Sequence, residues 1–107
     1  HDELMAVISH MPHLLSFASM SFARDLHIHR DLLGAGFRDF TRIAASDPVM
    51  WKDIFLANKQ HILQLIDGFI GELGMLKDTI HKDESARLEE ILRTYSTIRR
   101  ALYENIR

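Results

Sequence analysis

Cysteine is absent from this 107-residue sequence. That excludes a disulfide framework and a thiolate metal site, and it fits a reducing compartment such as the cytoplasm. A dominant charge sign is also missing: 13 basic against 15 acidic side chains leave a formal charge of −2. No basic footprint for nucleic acid or an anionic lipid surface is therefore present. No apolar run approaches the ~18 residues that a membrane span needs, and no leader peptide is visible. Also absent are a nucleophile motif, a phosphate-binding loop and the G-x-G-x-x-G dinucleotide fingerprint. Strand-like alternation, internal repeats and low-complexity tracts are missing as well.

What remains is helical patterning in a chain of single-domain length, 1–107, with 47% hydrophobic residues. Leu4, Ile8, Met11, Leu15, Ala18 and Phe22 recur at steps of four and three, an apolar stripe along one helix face. Met5, Val7, Leu14 and Phe17 widen it, and a helix this apolar belongs in a core or a subunit interface. Pro12 lies inside it, so a kink or break is expected there. His27 to Leu33 reads as a polar connector, Gly34-Ala35-Gly36 as a turn with close backbone approach, and Phe37 to Ala44 as a short helix. Asp47-Pro48 is a helix start, with aspartate as cap and proline in the first turn.

From Pro48 a long helix should run to about His81, bent near Asn58, with a seam of Ile62, Ile66, Phe69, Leu73, Leu76 and Ile80. Gly68, Gly71 and Gly74 lie three apart in it and should admit a close neighbour, since each weakens a helix by ~1 kcal/mol relative to alanine. Leu88, Ile91, Tyr95, Ile98 and Leu102 give the last helix a matching seam across the turn at Lys82–Ser85. The fold expected is an all-α helical bundle. It has a long apolar N-terminal helix kinked near Pro12, a short connector helix and a C-terminal antiparallel hairpin. The helical pattern already present at His1 points to a piece of a longer polypeptide.

The chemistry concentrates in three places. Ser9, His10 and His13 fall opposite the Leu4/Ile8/Met11/Leu15 stripe. They read either as surface histidines beside a kink, as a substrate site, or as a weak metal pair lacking any Glu-x-x-His partner. Asp39 and Arg42 are three apart. They form either an ordinary ion pair worth ~0.2–0.5 kcal/mol or an arginine oriented by Asp39 so that its planar fork grips a carboxylate bidentately. Trp51 and Phe55 are core by default, although the indole could wall a pocket beside Arg42. Arg38 and the charged residues of the last helix read as solvated.

Taken in order, His1-Asp2 with Met5-Ala6 and Ser9-His10-Met11-Pro12-His13, then Gly36-Phe37-Arg38-Asp39-Phe40-Thr41-Arg42-Ile43-Ala44, then Ser46-Asp47-Pro48 through Asn58, resemble the C-terminal helical domain of the prephenate dehydrogenase family. The resemblance implies an oxidoreductase of tyrosine biosynthesis that decarboxylates prephenate or arogenate oxidatively with NAD or NADP. An upstream domain, absent from this chain, would hold the dinucleotide and the catalytic histidine. This domain would form a homodimer and close the substrate cleft, with no nucleic acid or membrane partner. Carried over by motif position, Arg42 and His13 would contact substrate, while His10, Asp39, Trp51 and Gly36 would support the site. No catalytic, cofactor-binding or metal residue is expected in this chain. The sequence departs from the family in Gly34-Ala35-Gly36, where many members carry three glycines, and in its short connector. Two other classes remain open on the residues alone, a non-enzymatic helical interaction module and a metal-binding bundle.

Overall fold

The computed structural model describes residues 1–104, all helices and turns, with no strand among them. The chain divides into two compact units, His1–Asp67 and Gly68–Arg107, with the boundary inside a helix.

In the first unit, α1 (Asp2–Met5) leads into a π-helical turn, Ala6–His10, and then α2 (Met11–Ser19). Pro12 does not break the chain's course, for Met5, His10 and Met11 all keep right-handed helical dihedrals. Proline offers no N–H to the carbonyl four residues back and crowds it. The widened turn just before Pro12 accommodates that defect. After a 3-10 turn at Met20–Phe22, the expected polar connector is instead a run of 3-10 turns, Leu26–Leu32, kinked at His29.

The connector helix α3 covers Ala35–Thr41, and a 3-10 turn follows at Arg42–Ala45. It starts and stops earlier than the reading from Phe37 to Ala44. Gly34 is already its cap, and the chain tightens ahead of Asp47, which the following proline forces into an extended conformation. Asp47 caps α4 (Pro48–Ala57) by accepting from the Val49 N–H at 3.1 Å. The bend expected near Asn58 is a full interruption (φ −114°, ψ 33°), after which α5 (Lys59–His81) begins.

The fully buried face is not the apolar stripe, of which Met11 and Leu15 are only half-buried. Leu4, Ile8 and Phe22 are 63%, 68% and 89% exposed, while Ala6 and Ser16 are wholly buried. Small side chains let α2 approach its neighbours closely, and the histidine side of the helix follows them in. The glycine expectations also fail within the chain. A Cβ at Gly36, Gly68, Gly71 or Gly74 would meet nothing within 4 Å, because each lies on an open face.

In the second unit, α5 ends in a Schellman turn. The N–H groups of Glu84 and Asp83 bond the carbonyls of Thr79 and Ile80, both at 3.1 Å, with Asp83 in the left-handed region at φ 54°. That turn reverses the chain into α6 (Ser85–Glu104). The Tyr95 hydroxyl donates to the Glu72 carboxylate across the hairpin, at positions equidistant from the turn. The seam closes only in part: Leu76, Leu88, Ile91 and Tyr95 are half-buried, whereas Leu73, Ile80, Ile98 and Leu102 stay exposed. Among the described residues no helix is long and apolar enough to cross a membrane.

The hydrogen bond to Glu72 raises the Tyr95 pKa above its usual 10.0, with partial desolvation and the carboxylate's charge acting the same way. Since the folded value is the higher one, this bond's contribution is complete below the unfolded phenol's pKa. It is lost as pH rises through the raised value. Glu72→Gln should bring the phenol's titration, followed by ultraviolet difference absorbance, back toward the ordinary range. An unchanged titration would show that the bond does not form.

Candidate functional site

The residues that carry the chemistry of the first unit gather around Trp51. Because Asp47 and Pro48 fix where α4 begins, Trp51 falls in its first turns, facing α2, and only 7% of it is exposed. His13 lies flat on the indole, with ring centres 3.7 Å apart and planes 16° from parallel. His10, one turn earlier, meets the same ring edge-on at 6.1 Å and 80°. Phe55 tilts against Trp51 at 5.6 Å, and Phe17 meets Phe55 edge-on at 6.3 Å. Each aromatic contact of this sort contributes ~0.5–1.5 kcal/mol beyond burial.

The surface reading of the two histidines is therefore overturned, since both are half-buried and packed. They face away from the apolar stripe, as the wheel predicts, and that side is the internal one. His13 Nδ1 lies 2.9 Å from the Ser9 carbonyl one turn back, so its ring is held along the helix axis direction. His10 Nδ1 lies 3.2 Å from the side-chain amide of Asn58. Among the described residues no group of three or more histidine, aspartate or glutamate side chains is placed to share a metal ion.

Asn58 and Ser16 are buried polar positions next to this cluster that the sequence reading did not assign. Asn58 is polar, buried at 9% exposure, and sits where α4 and α5 part. Its amide donates to the Asp2 carbonyl at 2.8 Å, and its Oδ1 pairs with His61 Nδ1 at 2.9 Å. Ser16, wholly buried, donates to the Phe40 carbonyl at 2.9 Å and so fastens α3 to α2. A signal for Ser16 existed: with Ala6, His10 and His13 it continues a second helical stripe at spacings of four, three and three.

The Arg42–Ala45 turn and α3 both pack on α2, the helix that carries His13. Arg42 itself is exposed, and so are Arg38 and Asp39. Neither the expected Asp39–Arg42 ion pair nor the expected orientation of Arg42 by Asp39 is formed among the described residues. Water solvates both groups at this exposed helix end, and the gain from pairing there is too small to hold two flexible side chains together. Thus the structure assembles His10, His13 and Trp51 directly, and it brings Arg42 and Asp39 to the same helix on an adjoining turn without contact to the rings. Trp51 also borders an apolar hollow with Phe17, Pro48, Phe55 and Leu56, edged by Lys52.

Known proteins share sequence and fold with this chain. The prephenate dehydrogenase of Bacillus subtilis strain 168 is 34% identical, matching 95% of this chain and 29% of its own length. The cyclohexadienyl dehydrogenase of Zymomonas mobilis subsp. mobilis is 33% identical over 95% of the chain and 36% of its own. Among solved structures, prephenate dehydrogenase from A. aeolicus in complex with hydroxyphenyl propionate and NAD+ superimposes with a TM-score of 0.82. It is 38% identical and is matched over 95% of this chain and 37% of that one. Synechocystis arogenate dehydrogenase shares the fold, with a TM-score of 0.87 at 23% identity, over 95% of this chain and 39% of that one. The chain spans about a third of the length of these relatives. Residues 1–94 match the family described as prephenate dehydrogenase, dimerization domain, and the chain belongs to that family.

Proposed function

We propose that this chain is the dimerization and substrate-binding part of a cytoplasmic NAD- or NADP-dependent dehydrogenase that decarboxylates prephenate or arogenate oxidatively. The observation that carries the reading is the His10–His13–Trp51 cluster, with an unpaired arginine on a turn packed against the same helix. The family membership and the dehydrogenase relatives support it.

The chemistry demands such a site. Oxidative decarboxylation expels one carboxylate as carbon dioxide while a second anionic or zwitterionic side chain must be held still. Arg42 is permanently charged and has a planar fork, so it can grip a carboxylate bidentately. Its guanidinium makes no competing ion pair among the described residues. His13 offers a polar ring nitrogen, and Trp51, stacked beneath it, holds that imidazole in place. Bound dinucleotide supplies the hydride acceptor, but residues 1–104 do not fit one. Three glycines, Gly68, Gly71 and Gly74, lie inside α5, and no strand precedes any helix. Dinucleotide binding is therefore assigned to sequence outside this chain, together with the catalytic acid–base group.

A homodimer follows from what is left uncovered. The only buried apolar residues described are Ala6, Trp51 and Ile62, while Leu4, Ile8 and Phe22 face outward. Such a stripe is costly in water and is the natural surface for a second copy.

Two measurements test this reading. In the full-length protein, Arg42→Ala should raise the KM for prephenate about ten- to a hundredfold, the equivalent of one charge-assisted bond. A fall confined to kcat would reject a binding role. Light scattering on the 107-residue chain should return twice its 12.4 kDa mass, and Ile8→Lys should lower that toward the monomer. A stable monomer of the unaltered chain would contradict the dimer.

A further inference from the structure

The amide of Asn58 can be oriented from its partners alone. A backbone carbonyl only accepts, so the atom 2.8 Å from the Asp2 oxygen is Nδ2. The second hydrogen of that nitrogen faces His10 Nδ1 at 3.2 Å, which must then present a lone pair. Oδ1 is left to accept from His61 Nδ1 at 2.9 Å. His10 is thereby the Nε2–H tautomer and His61 the Nδ1–H tautomer. His13, donating from Nδ1 to the Ser9 carbonyl, has its lone pair on Nε2 when the ring is neutral. The two histidines that touch Trp51 thus offer opposite groups at Nε2, a donor on His10 and an acceptor on His13.

We propose that Asn58 is a positioning residue of the substrate site, setting the tautomer of His10 and holding that ring edge-on to Trp51. The proposal rests on the substrate-binding role proposed for this cluster. The network is interlocked. A hydrogen on His10 Nδ1 would oppose the Asn58 N–H, and turning the amide over would set Oδ1 against the Asp2 carbonyl. Either change leaves a buried polar group unsatisfied, so the His10 ring must turn and Trp51 loses the edge contact on the ring that His13 covers. The interruption between α4 and α5 is what lets a side chain at Asn58 reach both α1 and the π-helical turn.

The test uses the full-length protein with prephenate as probe. Long-range proton–nitrogen NMR correlation should show His10 protonated on Nε2. In Asn58→Asp, whose carboxylate accepts only, the hydrogen should move to Nδ1. The KM for prephenate should rise about fivefold, the worth of one lost hydrogen bond, with kcat within about twofold. His10 carrying its hydrogen on Nδ1 in the unaltered protein would overturn the proposal, and so would Asn58→Asp with an unchanged KM. The spectrum of the unaltered protein decides the tautomer even if the variant does not fold. Failure of the unaltered enzyme to turn over prephenate or arogenate would instead refute the substrate reading.

Discussion

The ring of His13 on the indole of Trp51 is the contact around which the first unit is arranged. To make it, α2 must turn its histidine side toward α4, and that requires small residues at Ala6 and Ser16, both wholly buried. Once they are inside, the Ser16 hydroxyl reaches the Phe40 carbonyl, and the connector with Arg42 is fastened to the same helix. Asn58 completes the arrangement from the far end of α4 by tying Asp2, His10 and His61 together. One packing choice thus positions a stacked histidine, an edge-on histidine and an arginine-bearing turn.

The same choice leaves Leu4 and Ile8 outside. A helix cannot bury both of its faces against one small partner set, and in this chain the less hydrophobic face took the fully buried positions. The more hydrophobic face is then available for a second copy, which joins the proposed substrate site and the proposed dimer in one helix: one side for each. A substitution on either side should accordingly have separable consequences, since the two faces point in opposite directions.

Much of this was legible in the sequence. The helical class, the Asp47 cap and the turn at Lys82–Ser85 all followed from local chemistry, whereas near Asn58 only a bend was legible and the structure has two helices. Local chemistry dominates at caps and turns, where a single residue decides the backbone. The family was legible too, through Ser9–His13, Gly36–Ala44 and Ser46–Asn58. Hydrophobicity left open whether the apolar stripe lies in the core or in a subunit interface: Leu4 and Ile8 outweigh Ala6 and Ser16 on any scale, yet close approach selects for size. The π-helical turn left no signal besides Pro12, and the Asn58 network joins residues 48 and 56 positions apart, a distance over which periodicity says nothing. The Asp39–Arg42 pairing failed for a simpler reason, that spacing permits an exposed ion pair without making it favourable.

The most direct test of the inward histidine face is an NMR measurement on the single tryptophan of the chain. Stacking at 3.7 Å predicts strong nuclear Overhauser contacts between the His13 ring and the Trp51 indole, with the imidazole protons shifted upfield by the ring they cover. Indole contacts to Leu4 and Ile8 in place of His13 would mean that the apolar stripe is the internal face, and would contradict the packing on which both the substrate site and the dimer depend.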